Sequence, residues 1–171
     1  MSFTLYQQLQ TFFEEGGAQA YVVRVSNAED VGTLILLDDD DVAALTLTAA
    51  NAGAWSDNLT VSSTTSLTSP EKFTVRLYDD GVLVYSTDLV TAASQVTEKI
   101  NTSQVAKLYV TATSSNASAT LAQIAETPLS GGVESVDPLV DADYIDALEL
   151  FDIAYGAGAV SIPGQFSTTV Y

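Results

Sequence analysis

FFEEGGAQAYVVRV, residues 12–25, joins two textures within fourteen positions. Phe12 and Phe13 continue an apolar spacing that starts at Leu5 and Leu9, with Gln7, Gln8, Gln10 and Glu14 between them, and this pattern predicts a helix from about Phe3 to Glu15. Gly16 and Gly17 end it, because glycine enters the left-handed region without a Cβ penalty. The following AYVVRV is β-branched or aromatic apart from Ala20 and Arg24, which predicts a strand over residues 19–25. The order is helix, glycines, strand. A phosphate-binding glycine loop requires strand before helix, so Gly16 and Gly17 are not read as one.

Outward from this corner, TLILLDDDD (33–41) is a short apolar run closed by four aspartates, which must be solvated in a loop or at an exposed edge. From Val42 the texture changes to Ser, Thr, Ala and Asn with short alternating runs. LTLTAA (45–50) and NLTVSS (58–63) read as strands, and KFTVRLYDDGVLVYSTD (72–88) as a hairpin turning at Asp80-Gly81, with Phe73, Val75 and Leu77 on one face. A helix follows, with Thr91 as N-cap and Ala93, Val96 and Ile100 on one side, and then a strand, AKLYVTAT (106–113). At Pro128 the texture changes back. LSGGVES (129–135) is a tight glycine loop. Asp141 or Asp143 caps a helix carrying Tyr144, Ile145, Leu148 and Phe151, a strand at about 157–162 stops at Pro163-Gly164, and QFSTTVY trails as a free extension. The expected fold is mixed α+β: residues 1–41 and 128–171 form an α/β body, and residues 42–127 an inserted β-rich α+β domain. A length of 171 residues suits one domain with a small insertion.

Composition removes several classes of function. The chain carries 22 acidic and 5 basic residues, a formal net charge of −17. It lacks the basic surface that displaces counterions from nucleic acid or holds anionic membranes. No Lys or Arg follows Lys107, whereas Glu126, Glu134, Asp137, Asp141, Asp143, Asp146, Glu149 and Asp152 do. The acidity serves solubility or a high-salt habitat, or meets a basic partner surface. Without Cys or His there is no disulfide, thiolate, His-based acid–base pair, Ser/His/Asp triad or His/Cys metal site. The aspartates at 38–41 lack the interleaved spacing of a calcium loop, and those of DPLVDADYID (137–146) are explained by helix capping. No pair of carboxylates stands out for glycoside hydrolysis. The sequons at Asn58, Asn101 and Asn116 are chance matches in a Ser/Thr-rich chain. MSFTLYQQLQ lacks a charged n-region and an apolar h-region and is not expected to be a signal peptide; no apolar run approaches the length of a spanning helix. Neither enzyme activity nor a cofactor nor a metal is expected. Trp55, the single tryptophan, reads as an anchor where a loop closes over the domain.

Four landmarks stand in order: FFEEGGAQAYVVRV; AGAWSDNLTV (52–61); PLSGGVES (128–135) leading to DYIDALELF (143–151); and VSIPG (160–164). Together they resemble the tail sheath proteins of contractile phage tails and related injection systems. That family shows an FFxNGGxxAYVVRV helix–strand corner, a GxWGNxLxV element, a GGxDG loop before a YxxALxxL helix, and a strand running into PG. The matching positions are Phe12, Phe13, Gly16, Gly17, Tyr21, Val22, Val23 and Arg24; Gly53, Trp55, Asn58 and Leu59; Gly131 and Gly132; Tyr144, Ala147 and Leu148; and Pro163 and Gly164. Glu15, Ser56, Asp57 and Glu134-Ser135 depart from the pattern.

The resemblance implies a structural subunit of a sheath that surrounds an inner tube and, on a baseplate signal, contracts to drive the tube through an envelope. The implied partners are other sheath subunits in a helical lattice, the tube protein, and baseplate and terminator proteins, with no nucleic acid and no direct membrane insertion. The implied location is the virion tail, assembled in the host cytoplasm. Family members are longer, with further segments at both ends, so the chain is expected to be a central fragment or a shortened member. The alternative is an acidic β-rich binding or adhesion module, calcium-dependent in one version.

Overall fold

The computed structural model describes residues 5–23, 25–26, 28–135, 137–151 and 159–162. The chain divides into two compact units, Met1–Asn27 with Asp137–Tyr171, and Ala28–Val136. The boundaries at 27/28 and 136/137 compare with 41/42 and 127/128 expected from composition.

In the first unit, helix α1 (Leu5–Glu14) ends as the double glycine predicts. The Gly17 N–H donates to the Phe12 carbonyl at 2.9 Å and the Gly16 N–H to the Phe13 carbonyl at 3.1 Å, a Schellman closure with Gly16 at φ 94°. The Phe12 ring lies over Gly17, where a Cβ would collide with it. Helix α3 (Asp141–Leu148) starts after Val140, and the Asp143 carboxylate accepts from the Val140 N–H at 2.7 Å. Asp143 therefore caps from the third helical position rather than from the N-cap itself. Neither helix buries a side chain fully. Gln8 and Ser161 are joined by a 2.6 Å hydrogen bond from the serine hydroxyl.

Of the strand expected over 19–25, residues 19–23 and 25 are described and do not lie in a strand; Tyr21 and Val22 are exposed. Residues 159–162 likewise do not lie in a strand. Arg24, residues 157–158, Pro163, Gly164 and the QFSTTVY tail lie outside the described residues.

The second unit holds two antiparallel sheets. One has the order β1 (Thr33–Leu37), β2 (Ala43–Ala49), β6 (Val110–Ser114); the other runs β5 (Val82–Ser86), β4 (Phe73–Asp79), β3 (Leu59–Thr65), β7 (Ile124–Pro128). Alternation sets which side chains point inward. Leu45, Leu47 and Ala49 of β2, Leu59 and Val61 of β3, and Phe73, Val75 and Leu77 of β4 join one buried cluster. Helix α2 (Ala93–Thr102) packs on β6 and β2 and adds Ala93, Val96 and Ile100 to the same core. Asp80 (φ 48°) and Gly81 (φ 76°) make the tight turn of the β4–β5 hairpin.

Three details differ from expectation. The N-cap of α2 is Ala92, not Thr91; the Thr91 N–H is instead satisfied by the Gln95 side chain at 2.9 Å. The segment read as a strand from Ala106 begins with a 3-10 turn, Ala106–Leu108, and enters β6 only at Val110. Strand β7 was not expected, because Glu126 and Pro128 are poor strand formers. It sits at a sheet edge, where a missing N–H at the strand end is tolerated.

Candidate functional site

The most constrained place in the second unit is a corner where three loops remote in sequence converge. Backbone bonds fasten the first to the third: Glu29 N–H to the Val133 carbonyl (3.2 Å), Val133 N–H to the Asp30 carbonyl (3.3 Å), Thr33 N–H to the Ser130 carbonyl (2.8 Å) and Ser130 N–H to the Thr33 carbonyl (3.0 Å). The middle loop is fastened by the Gly53 N–H on the Asp30 carbonyl (2.9 Å) and by Leu129 N–H on the Leu59 carbonyl (2.9 Å). The 3-10 turn Ala54–Asn58 carries Trp55, whose indole N–H donates to the Ala52 carbonyl at 3.1 Å.

Ser56 is the pivot of this corner. It is fully buried, and its hydroxyl donates to the Gly53 carbonyl at 3.0 Å. Two glycines make room for it. A Cβ on Gly132 would collide with the Ser56 hydroxyl and the Gly53 carbonyl, and one on Gly32 with the Ser56 side chain. Gly53 itself needs its φ of 118°, and a Cβ there would meet the Glu134 carboxylate and lie 3.2 Å from the Trp55 ring. Gly131, at φ 93°, supplies a turn in open space. The structure thus brings Gly53 and Trp55 together with Gly131 and Gly132, while Asn58 ends the 3-10 turn and its carbonyl accepts from the Asp80 N–H. Ser56, set aside in sequence as a departure from the family pattern, is the residue around which the glycines close. Its signal was faint: a small polar residue three positions after a glycine in a turn-rich loop.

The remaining motif residues lie in the first unit. Phe12, Phe13 and Tyr21 are 43%, 50% and 47% exposed, and Tyr144 and Leu148 are half-buried. The Phe12 and Phe13 rings meet edge to face, with centroids 5.2 Å apart.

The acid clusters act on backbone. Asp38 accepts from the N–H groups of Asp40 (3.1 Å) and Val42 (2.9 Å) through one carboxylate oxygen, so the four aspartates form the β1–β2 turn, with Asp41 at φ 59°. Among the described residues, no group of three Asp or Glu side chains is placed to hold a metal ion, and no helix is long and apolar enough to cross a membrane.

A sandwich-like unit closed by a glycine-packed corner, with apolar side chains left at the surface of its companion unit, is the construction of a structural, interacting module. The comparisons make that class specific. Residues 16–137 match the model of the phage tail sheath protein beta-sandwich domain, and the chain belongs to that family. Solved structures agree in fold. A sheath tail protein from Listeria innocua aligns with 73% of this chain at 21% identity and a TM-score of 0.53. One from Desulfitobacterium hafniense aligns with 75% at 22% identity and a TM-score of 0.52. The aligned part is 26% of the first of those chains and 27% of the second. No curated protein matches significantly.

Proposed function

We propose that the chain is a structural subunit, or the central part of one, of a contractile tail sheath that surrounds an inner tube and drives it through an envelope. The family match over residues 16–137 carries this reading. In it, the two ends of the chain form the lattice-bearing body and the middle a more peripheral domain. The partners are further sheath subunits, the tube, and baseplate and terminator proteins, in a virion tail assembled in the host cytoplasm.

The surface of the first unit supports the reading. Leu5, Phe12, Phe13, Tyr21 and Val22 are each more than two-fifths exposed. A ten-residue helix alone is marginal in water, and a partner laid over Leu5, Phe12 and Phe13 would stabilise α1. Contraction stores energy in such contacts between subunits rather than in a chemical site.

Electron microscopy of the product of the full reading frame tests the proposal. Helical tubes, or a contractile particle containing the protein, are the expected result. Their absence across a wide range of salt would sink it. Under the calcium-dependent alternative, millimolar Ca²⁺ raises the melting temperature by mass action; an unchanged Tm removes that alternative.

A further inference from the structure

The four sheet edges of the second unit are not equally protected. The outer side of β1 is occupied by Ser130, which exchanges backbone bonds with Thr33, and by the Ala122 N–H on the Leu37 carbonyl at 3.0 Å. β6 is closed by Asn101 of α2, whose side-chain amide donates to the Ala112 carbonyl and accepts from the Ala112 N–H, both at 2.9 Å. β7 carries Glu126 and Pro128, which discourage pairing. β5 reads VLVYS, with no charge and no proline, and no described strand lies on its outer side. Val82 and Leu83 are 66% and 52% exposed, and Leu89, just past the strand, is 53% exposed. Leu89 lines a shallow groove with Gln95, Glu98, Lys99 and Thr102 of α2, and the Tyr85 hydroxyl ties β5 to the Lys99 carbonyl at 3.2 Å.

We propose that the free edge of β5, with Leu89 and the groove beside α2, is a docking surface for an extended, basic segment of a partner protein. Charge selects the occupant. Exposed acids border the edge: Asp80 in the turn before β5, Asp88 after it, and Glu98 in the groove. Of the nearby cations, Lys99 pairs with Asp88 at 3.1 Å and Arg76 donates to the Thr64 hydroxyl at 3.2 Å, while Lys72 stands at the far end beside Phe73, so Asp80 and Glu98 are the acids that attract a basic segment. Pairing of two β5 strands from two copies would set Asp80 of one against Asp88 of the other, on chains that each carry −17. A bulge in the β4–β5 register shortens the usable ladder. Binding therefore rests on a few main-chain bonds plus apolar contacts at Val82, Leu83 and Leu89, with cationic side chains answering the acids.

This surface is independent of the sheath reading, which neither requires nor forbids it. The probe is a fluorescein-labelled ten-residue peptide of alternating Lys and Val, titrated against the whole chain at physiological salt, with alternating Glu and Val as control. The Lys-Val peptide binds and the Glu-Val peptide does not. Leu83→Lys, or Val82→Lys as a second variant, weakens binding at least about tenfold. Ile35→Lys, the same charge change at an exposed position of β1, weakens it less than about twofold. Equal loss in all three variants means attraction to net charge alone and overturns the proposal, as does no binding of the Lys-Val peptide. Self-association of the free chain that Leu83→Lys abolishes assigns the edge to a second copy and overturns it too.

Discussion

Replacing Gly132 by alanine is the sharpest perturbation of the corner. The new methyl would fall on the Ser56 hydroxyl and the Gly53 carbonyl, with the Gly53 carbonyl carbon at 3.1 Å. Two of these atoms are backbone and cannot swing aside, and the hydroxyl is buried and bonded in place. Overpacking a closed site costs about 1–3 kcal/mol, and a backbone obstacle sets this case near the upper end, at about 3 kcal/mol. Gly131→Ala is the internal comparison. Its neighbourhood is open, the nearest atom being the Val31 carbonyl oxygen at 4.0 Å, so only the positive φ is penalised, at about 1–2 kcal/mol. Trp55, the single tryptophan, sits in the corner, so its fluorescence in a urea titration follows this unit directly. The alanine at 132 should lower stability more than that at 131, and Ser56→Ala should recover about 1 kcal/mol of the loss in the double variant by removing one obstacle. Equal costs at 131 and 132, or a cost at 132 below about 1 kcal/mol, would refute the close-packing argument.

The Ser63 hydroxyl is buried without a hydrogen-bond partner, so Ser63→Ala should raise stability by about 1 kcal/mol in the same titration; a loss of that size would show that the hydroxyl is satisfied. Asn101→Ala removes both bonds to Ala112, a buried edge residue, and should cost about 2 kcal/mol, whereas a change under about 0.5 would mean water replaces the amide freely. Raising NaCl from 10 mM to 1 M shortens the screening length from about 30 Å to about 3 Å. On a chain of net charge −17 this should raise the melting temperature, and a fall would show that self-repulsion is minor. Residues 28–136 expressed alone should unfold in one transition seen equally by far-ultraviolet circular dichroism and Trp55 fluorescence; two separated transitions would contradict a single shared core.

Elements that carry their own partner were legible in the sequence. The β4–β5 hairpin was readable because its turn chemistry and its alternation at Phe73, Val75 and Leu77 lie within one short segment. The α1 terminus was readable because Gly16 needs only local bonds. Elements defined by remote partners were not. Ile124–Pro128, poorly suited to a strand by composition, pairs because β3 offers it an edge. The corner shows the same limit. Gly53, Trp55 and Gly132 were picked out by family pattern in two separate loops, but nothing in either loop says that Ser56 fills the space left by Gly32 and Gly132.

The position of the corner gives it a purpose beyond packing. The chain enters the second unit at residue 28 and leaves it at residue 136, and the Asp30–Val133 and Thr33–Ser130 pairs hold those two crossings side by side. A domain whose entry and exit meet in an antiparallel pair can be placed within another domain without stretching either, since the host sees only a narrow gap. Pairing alone would leave the crossings able to fray, because two short bridges are a weak ladder. The buried Ser56 and the glycines around it resist that opening, since separating the loops would expose the hydroxyl and undo the Gly53 contact with Asp30 at once. Load on the chain entering or leaving the sandwich domain would reach it here. Close packing of backbone against a small side chain suits that point better than a salt bridge, which high salt would screen.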